Sequence, residues 1–153
     1  MLTLSERLSL PGDEACEPSE RLVLPFELRS RSRLRARLAS GEEVAVALPR
    51  GQMLRDGDRL RASDRRIVQV VAAAETVSTA RSEDARALLR AAYHLGNRHV
   101  ALQLGEGWLR YSHDHVLDDL VNRLGLAVTV EQAAFEPEAG AYHGAAAHGH
   151  EHR

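Results

Sequence analysis

Histidine, which can bind metal ions and transfer protons, occurs eight times in this 153-residue sequence, and all eight copies lie in the second half. They are His94, His99, His113, His115, His143, His148, His150 and His152. Neutral imidazole is a good ligand for Ni²⁺, Zn²⁺, Cu²⁺ and Co²⁺, and a histidine-rich tract is a compositional sign of metal binding. We therefore expect the chemistry of this chain to be metal binding by its second half.

The four histidines nearer the middle of the sequence also have ordinary structural explanations, which spacing alone leaves open. His94 falls near the end of a predicted helix, where a cationic imidazole interacts favourably with the helix dipole. His99 falls in an alternating segment, where an exposed strand histidine is usually an ordinary surface residue. His113 and His115 flank Asp114, and this triplet offers three coordinating side chains, although an aspartate there is also a strong helix N-cap. The spaced histidines near the end of the sequence favour an adaptable metal-binding tail.

Other kinds of site have less support in the sequence. Five arginines occupy every second position and predict a strand with one basic face: Arg29, Arg31, Arg33, Arg35 and Arg37. Such a face can bind phosphates, but the net charge of −2 and the 4% aromatic content argue against a nucleic-acid partner. No nucleophile elbow, glycine-rich phosphate loop or H-E-x-x-H zinc motif occurs, so we assign no catalytic residue and expect no enzyme.

The composition is that of a protein with a packed core. Hydrophobic residues make up 44% of the sequence and charged residues 27%. No apolar run approaches the ~20 residues that cross a bilayer, so we expect no membrane partner. The single cysteine, Cys16, can form neither an internal disulfide nor a cysteine-based zinc site, which leads us to expect a reduced, cytoplasmic protein.

Residues 1–73 are expected to form a β-rich domain. Short alternating segments, of which residues 44–48 and 67–71 are the clearest, are separated by turns that contain Gly, Pro and Asp. Several short strands punctuated in this way predict a small β-barrel or β-sandwich.

Residues 74–136 change period and predict a second domain. The order of its elements is β-α-β-β-α-β, the pattern of a ferredoxin-like sandwich with two helices on one face of a four-stranded antiparallel sheet. The first helix is predicted to follow an N-cap at Ser82 and to end at Gly96 as a left-handed C′ residue, and the second to end at Gly125. The apolar stripe of the first helix is Ala85, Leu88, Leu89, Ala92 and Leu95. The fold class is therefore α+β, and the composition of residues 137–153 predicts a disordered, histidine-containing tail.

Three blocks of the second half resemble the urease accessory protein UreE family. They are YHLGNRHV at residues 93–100, LRYSHDHVLDD at 109–119 and FEPEAGAY at 135–142, followed by the histidine-bearing tail. The similarity runs from the LPF segment at residues 24–26 to the end of the sequence. The order and spacing of the two histidine blocks are highly specific to this family.

The resemblance implies a metallochaperone that delivers nickel to apo-urease during assembly of the urease active site. It implies a homodimer with one nickel between the two copies of His99, with His113 and His115 as peripheral ligands and His94 close to the first block. Tail histidines, here His150 and His152, add binding capacity or complete the shared site. The implied partners are the urease accessory GTPase and, through it, the urease apoprotein complex, with the β-rich N-terminal domain engaging protein partners.

Two positions depart from the family pattern. Ser112 stands where many members have a further histidine, which removes one potential peripheral ligand, and Ala101 replaces a common proline. Imidazole sites also bind Zn²⁺, Cu²⁺ and Co²⁺, so a general zinc or copper module, or a metal buffer without a urease role, is the alternative function. A metal-dependent hydrolase is a third.

Overall fold

The computed structural model describes residues 1–9 and 17–140 of the chain. Within those residues there are ten strands and three helices: β1 (Leu2–Arg7), β2 (Glu20–Leu24), α1 (Phe26–Arg29), β3 (Arg33–Arg37), β4 (Glu43–Ala47), β5 (Arg59–Ala62), β6 (Ile67–Ala72), β7 (Ala74–Arg81), α2 (Ala85–Asn97), β8 (Gln103–Gly105), β9 (Trp108–Ser112), α3 (His115–Arg123) and β10 (Ala127–Ala134).

The first six strands form one mixed sheet that nearly closes on itself. Their order is β2-β6-β5-β1-β4-β3, and the two outer strands approach each other where the Ala39 N–H donates to the Arg21 carbonyl at 2.9 Å. The interior is filled by twelve buried apolar residues: Leu4, Leu22, Leu24, Leu38, Val44, Val46, Leu48, Leu54, Leu60, Ala62, Val68 and Val70. Near closure leaves little free sheet edge, and the expected small β-barrel is confirmed.

The last four strands form a separate antiparallel sheet in the order β10-β7-β9-β8. Both long helices pack on one face of it, because the second core joins residues of α2 and α3 to residues of β7 and β9: Ala80, Ala91, Leu95, Leu109, Tyr111, Val121 and Leu126. This order of strands and helices is that of a ferredoxin-like sandwich. The expected α+β fold class is confirmed.

The prediction of a five-arginine strand is wrong. Residues 26–29 form the short helix α1 after Pro25, whose fixed φ of −69° suits a helix start, and β3 begins only at Arg33. Its three arginines face away from the barrel, since Leu34 and Ala36 between them pack against the core. Arg29 is fully buried and has a different role from the others.

Both predicted ends of α2 are also wrong. Asp84, rather than Ser82, is the N-cap, and its carboxylate accepts the Arg86 N–H at 2.9 Å. The helix continues through Gly96 to Asn97, and the alternating segment after it contributes only the three-residue strand β8. Local pattern placed this strand too early because a helix C-terminal turn with apolar anchors also alternates in sequence.

Two glycines near helix ends provide a stability test of this correction. Gly96 lies inside α2 with open space where a Cβ would lie, whereas Gly125 follows α3 with φ +94°. We expect Gly96→Ala to raise the free energy of unfolding by about 0.5–1 kcal/mol and Gly125→Ala to lower it by about 1–2 kcal/mol. Urea denaturation followed by circular dichroism measures both. Effects of the same sign would contradict the assigned helix ends.

A segment after β10 fastens the two domains together. The fully buried guanidinium of Arg29 donates to the carbonyls of Leu24 (3.1 Å) and Phe135 and to the carboxylate of Glu136 (3.3 Å). Phe135 is buried and meets the ring of Phe26 edge-on at 5.4 Å. Burial lowers the pKa of the Arg29 guanidinium, and the carboxylate of Glu136 opposes that shift. We call Arg29, Phe135 and Glu136 the Arg29 clasp.

The same segment continues along the ferredoxin-like domain. The Glu136 N–H donates to the Gln103 side chain at 2.9 Å, and the Glu138 N–H donates to the Leu102 carbonyl at 2.8 Å. On the barrel side, the guanidinium of Arg55 donates to the carbonyl of Pro137, a buried residue, at 2.7 Å. Residues 137 and 138 therefore take part in packing, although their composition assigned them to the tail.

Candidate metal site

Four histidines of the ferredoxin-like domain lie at one end of its sheet. β8 and β9 are antiparallel, with Gln103 opposite Arg110, so the start of β8 and the end of β9 coincide. His99 precedes β8, and His113 follows β9, where its N–H bonds to the Thr76 carbonyl of β7 at 3.2 Å. The other two histidines lie in the last turn of α2 and the first turn of α3, at the same end. The fold thus collects at one end residues that the sequence placed only at separate turns.

His99 has a backbone conformation that glycine normally adopts. It follows the C-cap Arg98 with φ +59°. Its N–H bonds to the Gly96 carbonyl at 3.0 Å and the Val100 N–H bonds to the Leu95 carbonyl at 3.1 Å, the two bonds of a Schellman motif. A left-handed non-glycine residue costs about 1–3 kcal/mol, and the imidazole here is exposed. A strained position held by an exposed histidine points to function more than to stability.

His94 lies in the last turn of α2 and is half-buried. The ring of the preceding residue, Tyr93, meets the imidazole edge-on with 5.3 Å between ring centroids. Tyr93 itself is 69% exposed, and Leu89, one turn earlier, is 71% exposed. The predicted apolar stripe is therefore wrong at Leu89 and at Ala85, which is also exposed, and α2 presents two large apolar side chains to solvent, of which Tyr93 contacts His94.

The His113-Asp114-His115 triplet divides into a cap and two imidazoles. Asp114 is the N-cap of α3, and its carboxylate accepts the N–H groups of Val116 (2.8 Å) and Leu117 (3.3 Å). The N-cap explanation thus applies to Asp114, because one of its carboxylate oxygens accepts both bonds. His113 and His115 are both exposed and remain the candidate ligands of the triplet.

Beside the triplet lies a polar cluster to which sequence reasoning assigned no role. Ser78 and Tyr111 are fully buried on the helix-covered face of the sheet, and Asp118 lies in the first turn of α3. The Tyr111 hydroxyl donates to Asp118 at 2.6 Å, and His113 Nδ1 lies 3.1 Å from the Ser78 hydroxyl and 3.2 Å from Asp118. Burial, and then the Asp118 carboxylate, raise the pKa of the Tyr111 phenol, so it stays protonated as a donor.

This cluster is not arranged for nucleophilic catalysis. In a serine–histidine–aspartate triad the serine and the carboxylate contact opposite ring nitrogens. Here Ser78 and Asp118 both face Nδ1 of His113, and Ser78 has no exposed surface. The geometry gives no support to the hydrolase alternative.

No set of three or more His, Cys, Asp or Glu side chains within residues 1–9 and 17–140 is close enough to hold one metal ion. The histidines at this end are therefore neighbours in the fold without forming a closed site in one chain. The tail histidines expected to contribute, His150 and His152, lie outside the described residues, as do His143 and His148. In the same part of the chain, no helix has the length and apolar character needed to cross a membrane.

A small β-barrel joined to a ferredoxin-like sandwich with exposed histidines at one end defines a two-domain protein of the α+β class. Residues 6–73 match the family model described as UreE urease accessory protein, N-terminal domain, and residues 75–153 match its C-terminal domain. The chain belongs to the UreE urease accessory protein family, as the resemblance in the sequence indicated.

Relatives in several bacteria cover nearly the whole chain. A urease accessory protein UreE of Alkalilimnicola ehrlichii is 58% identical over 144 residues, which are 94% of this chain and 86% of the relative. One of Pseudomonas putida strain GB-1 is 51% identical over 98% of this chain and 90% of its own length. One of Nitrosospira multiformis is 48% identical over 99% and 88% respectively.

Proposed function

We propose that this protein binds nickel as cargo and delivers it to apo-urease during assembly of the urease active site. The observation that carries the proposal is the exposed imidazole of His99, held in a strained left-handed turn at an end of the domain where two other exposed imidazoles lie. Because imidazole suits Ni²⁺, the donor chemistry fits the cargo. The family named above supplies the urease connection.

The nickel is proposed to lie between two copies of this chain, with His99 of each as a ligand. In a two-fold symmetric dimer, one residue supplies two identical ligands, which is how a chain without a closed site of its own can bind tightly. Leu89 and Tyr93 on the exposed face of α2 support such an interface, since two large apolar side chains one turn apart gain by burial against a second copy. A site with so few protein ligands stays open, which suits transfer rather than catalysis.

The remaining histidines are proposed as auxiliary ligands. His94, His113 and His115 lie at the same end as His99 and would hold further ions less tightly. The tail begins there too, since Glu138 is bonded to Leu102, close to His99 in the chain. An extended chain spans about 3.3–3.6 Å per residue, so the tail is long enough for its histidines to reach and complete the shared site.

The partners we propose are the urease accessory GTPase and, through it, the urease apoprotein complex. The barrel domain is proposed to engage them, and the outward arginines of β3, Arg33, Arg35 and Arg37, give it an exposed basic face. Cu²⁺, Zn²⁺ and Co²⁺ are expected to compete in solution, because such a site follows the Irving–Williams order. Selection of nickel would then come from the partners and not from the ligands.

Calorimetric titration with nickel, combined with light scattering on the same samples, tests the proposal. We expect about one tight nickel per dimer, set by the two-fold symmetry, and weaker sites that decrease when the chain is cut after Gly140. Tight binding by a monomer would move the site onto histidines of one chain. Absence of tight nickel binding would overturn the carrier function. Tight nickel binding without transfer of the ion to urease partners would favour the general metal buffer.

A substitution at the proposed interface separates dimerisation from metal chemistry. Leu89→Glu places a charge on the exposed face of α2 without removing an imidazole, so it is expected to give a monomer that has lost the tight site but kept the weaker ones. Val23→Glu is the matched control, because Val23 is 47% exposed on the barrel domain. A dimeric Leu89→Glu variant with tight binding would place the interface elsewhere.

A further inference from the structure

The contacts around His113 determine which of its ring nitrogens carries the proton. The Asp118 carboxylate lies 3.2 Å from Nδ1 of His113, and this close negative charge favours the tautomer with the proton on Nδ1, because an ionised carboxylate can only accept hydrogen bonds. The hydrogen bond of Nδ1 is to the Ser78 hydroxyl at 3.1 Å, and the hydroxyl oxygen accepts it in this tautomer. In the opposite tautomer the Nδ1 lone pair would face the Asp118 carboxylate at this distance, which is unfavourable.

The other partners of Asp118 keep its carboxylate in place. One oxygen accepts the Tyr111 hydroxyl at 2.6 Å and the other faces His113, so both have a defined partner. The Ser78 hydroxyl bonds to Nδ1 of His113 at 3.1 Å, so the contacts link all four side chains. Tyr111 is fully buried, and the side chain of Asp118 is only 14% exposed. A carboxylate held on both sides holds the imidazole in one orientation.

The side chain of His113 is 37% exposed, and its second nitrogen, Nε2, makes no hydrogen bond to any residue that the structure describes. With Nδ1 protonated, Nε2 carries the free lone pair. Metal-binding histidines in proteins are oriented in just this way by a carboxylate on the opposite nitrogen, and loss of such a carboxylate weakens metal binding by about 10–100-fold. His115 has no such partner among the described residues.

We propose that Asp118 is a positioning residue that holds His113 in the Nδ1–H tautomer and presents its Nε2 to the incoming metal ion. The proposal deepens the function proposed above and rests on it. It makes His113 the pre-organised auxiliary ligand at this end of the domain. His115, one residue beyond the N-cap, is a mobile ligand by comparison.

The test compares two full-length variants that differ only at the carboxylate. Tyr111→Phe removes the phenol and leaves Asp118 facing His113. Tyr111→Phe with Asp118→Ala removes the carboxylate without leaving a buried phenol unpaired, so both variants are expected to fold. Long-range ¹H–¹⁵N spectra of the histidine rings are recorded at a pH of about 8, where unperturbed imidazole is neutral. Zn²⁺ is added as a diamagnetic probe, and the His113 ring signals report binding at that residue alone.

We expect Nδ1–H to predominate at His113 in the parent and in Tyr111→Phe, and a mixture of tautomers in the double variant. The Zn²⁺ affinity reported by His113 is expected to fall by about tenfold in the double variant, while that reported by His115 stays unchanged. Asp118→Asn, which keeps one acceptor oxygen, is expected to give an intermediate tautomer ratio.

A mixed tautomer population in the parent would overturn the proposal, and so would unchanged affinity at His113 in the double variant. Failure of the proposed function has a separate signature, since the parent would then bind no nickel in the calorimetric titration although His113 still showed Nδ1–H. In that case Asp118 would orient an imidazole that binds no metal ion. The proposal that it presents His113 to a metal ion would then be wrong together with the proposed function.

Discussion

Replacing His99 by glycine is expected to remove the tight nickel site and to leave the fold as stable as before or slightly more so. Glycine adopts φ +59° without strain, so the variant relieves a left-handed residue while it loses the imidazole. We expect the free energy of unfolding of the metal-free protein to rise by up to about 1 kcal/mol, because the greater entropy of glycine in the unfolded chain offsets part of the relief. Nickel affinity should fall by more than about 100-fold, the upper cost of losing an outer-shell partner.

Two further variants make this prediction specific. Asparagine tolerates the left-handed conformation, so His99→Asn should keep the stability of the parent and still lose tight nickel binding. Arg98→Ala changes the exposed neighbouring residue and should alter neither property. Calorimetry measures the affinity and urea denaturation the stability. Tight binding that survives His99→Gly would show that the left-handed histidine is not the principal ligand.

Replacing Arg29 by methionine is expected to destabilise the protein by about 3–5 kcal/mol and to uncouple its two domains. The fully buried guanidinium satisfies the carbonyls of Leu24 and Phe135 and the carboxylate of Glu136, all of which would lose a charged donor. Removing one partner of a buried ionic network has a cost of this size. The base of the tail should also lose its anchor, since Phe135 and Glu136 begin the segment that leads to it.

The single tryptophan, Trp108 of β9, reports unfolding of the ferredoxin-like domain alone, whereas circular dichroism reports both domains. We expect the two urea transitions to coincide in the parent and to separate in Arg29→Met. Arg31→Ala is the matched control, because Arg31 is exposed and, among the residues that the structure describes, its side chain pairs with Glu27 alone, which is worth about 0.5 kcal/mol or less. Coincident transitions and a small loss of stability in Arg29→Met would show that the clasp does not couple the domains.

Much of the fold follows from patterns that act over a few residues. Alternation predicted the barrel strands at residues 44–48 and 67–71, and the element order of the second half predicted the ferredoxin-like sandwich. Gly125 ends α3 in the left-handed conformation as predicted, and Asp114 caps its start. These features are predictable because the period of burial and the needs of helix ends are local.

Local sequence patterns gave wrong predictions where two different structures have the same pattern. Arg29 continues the alternation of β3 in sequence, yet it belongs to a helix and is fully buried, because its partner Glu136 lies 107 residues away. Gly96 looks like a helix end, but the left-handed residue is His99, because Val100 and Leu95 anchor the turn against the core. In both cases a distant apolar or ionic contact overrides the local preference.

The sequence alone predicted the residue types of the candidate site, their confinement to the second half and the fold class. It could do so because imidazole chemistry and hydrophobic periodicity can be recognised residue by residue. The tertiary structure alone decided that the histidines share one end of a sheet, that His99 sits in a strained turn and that Asp118 faces His113. The last contact joins a strand end to a helix, and the Ser78 partner lies 35 residues earlier. Such pairings depend on how the chain folds back on itself, and no pattern within a short window of sequence encodes that.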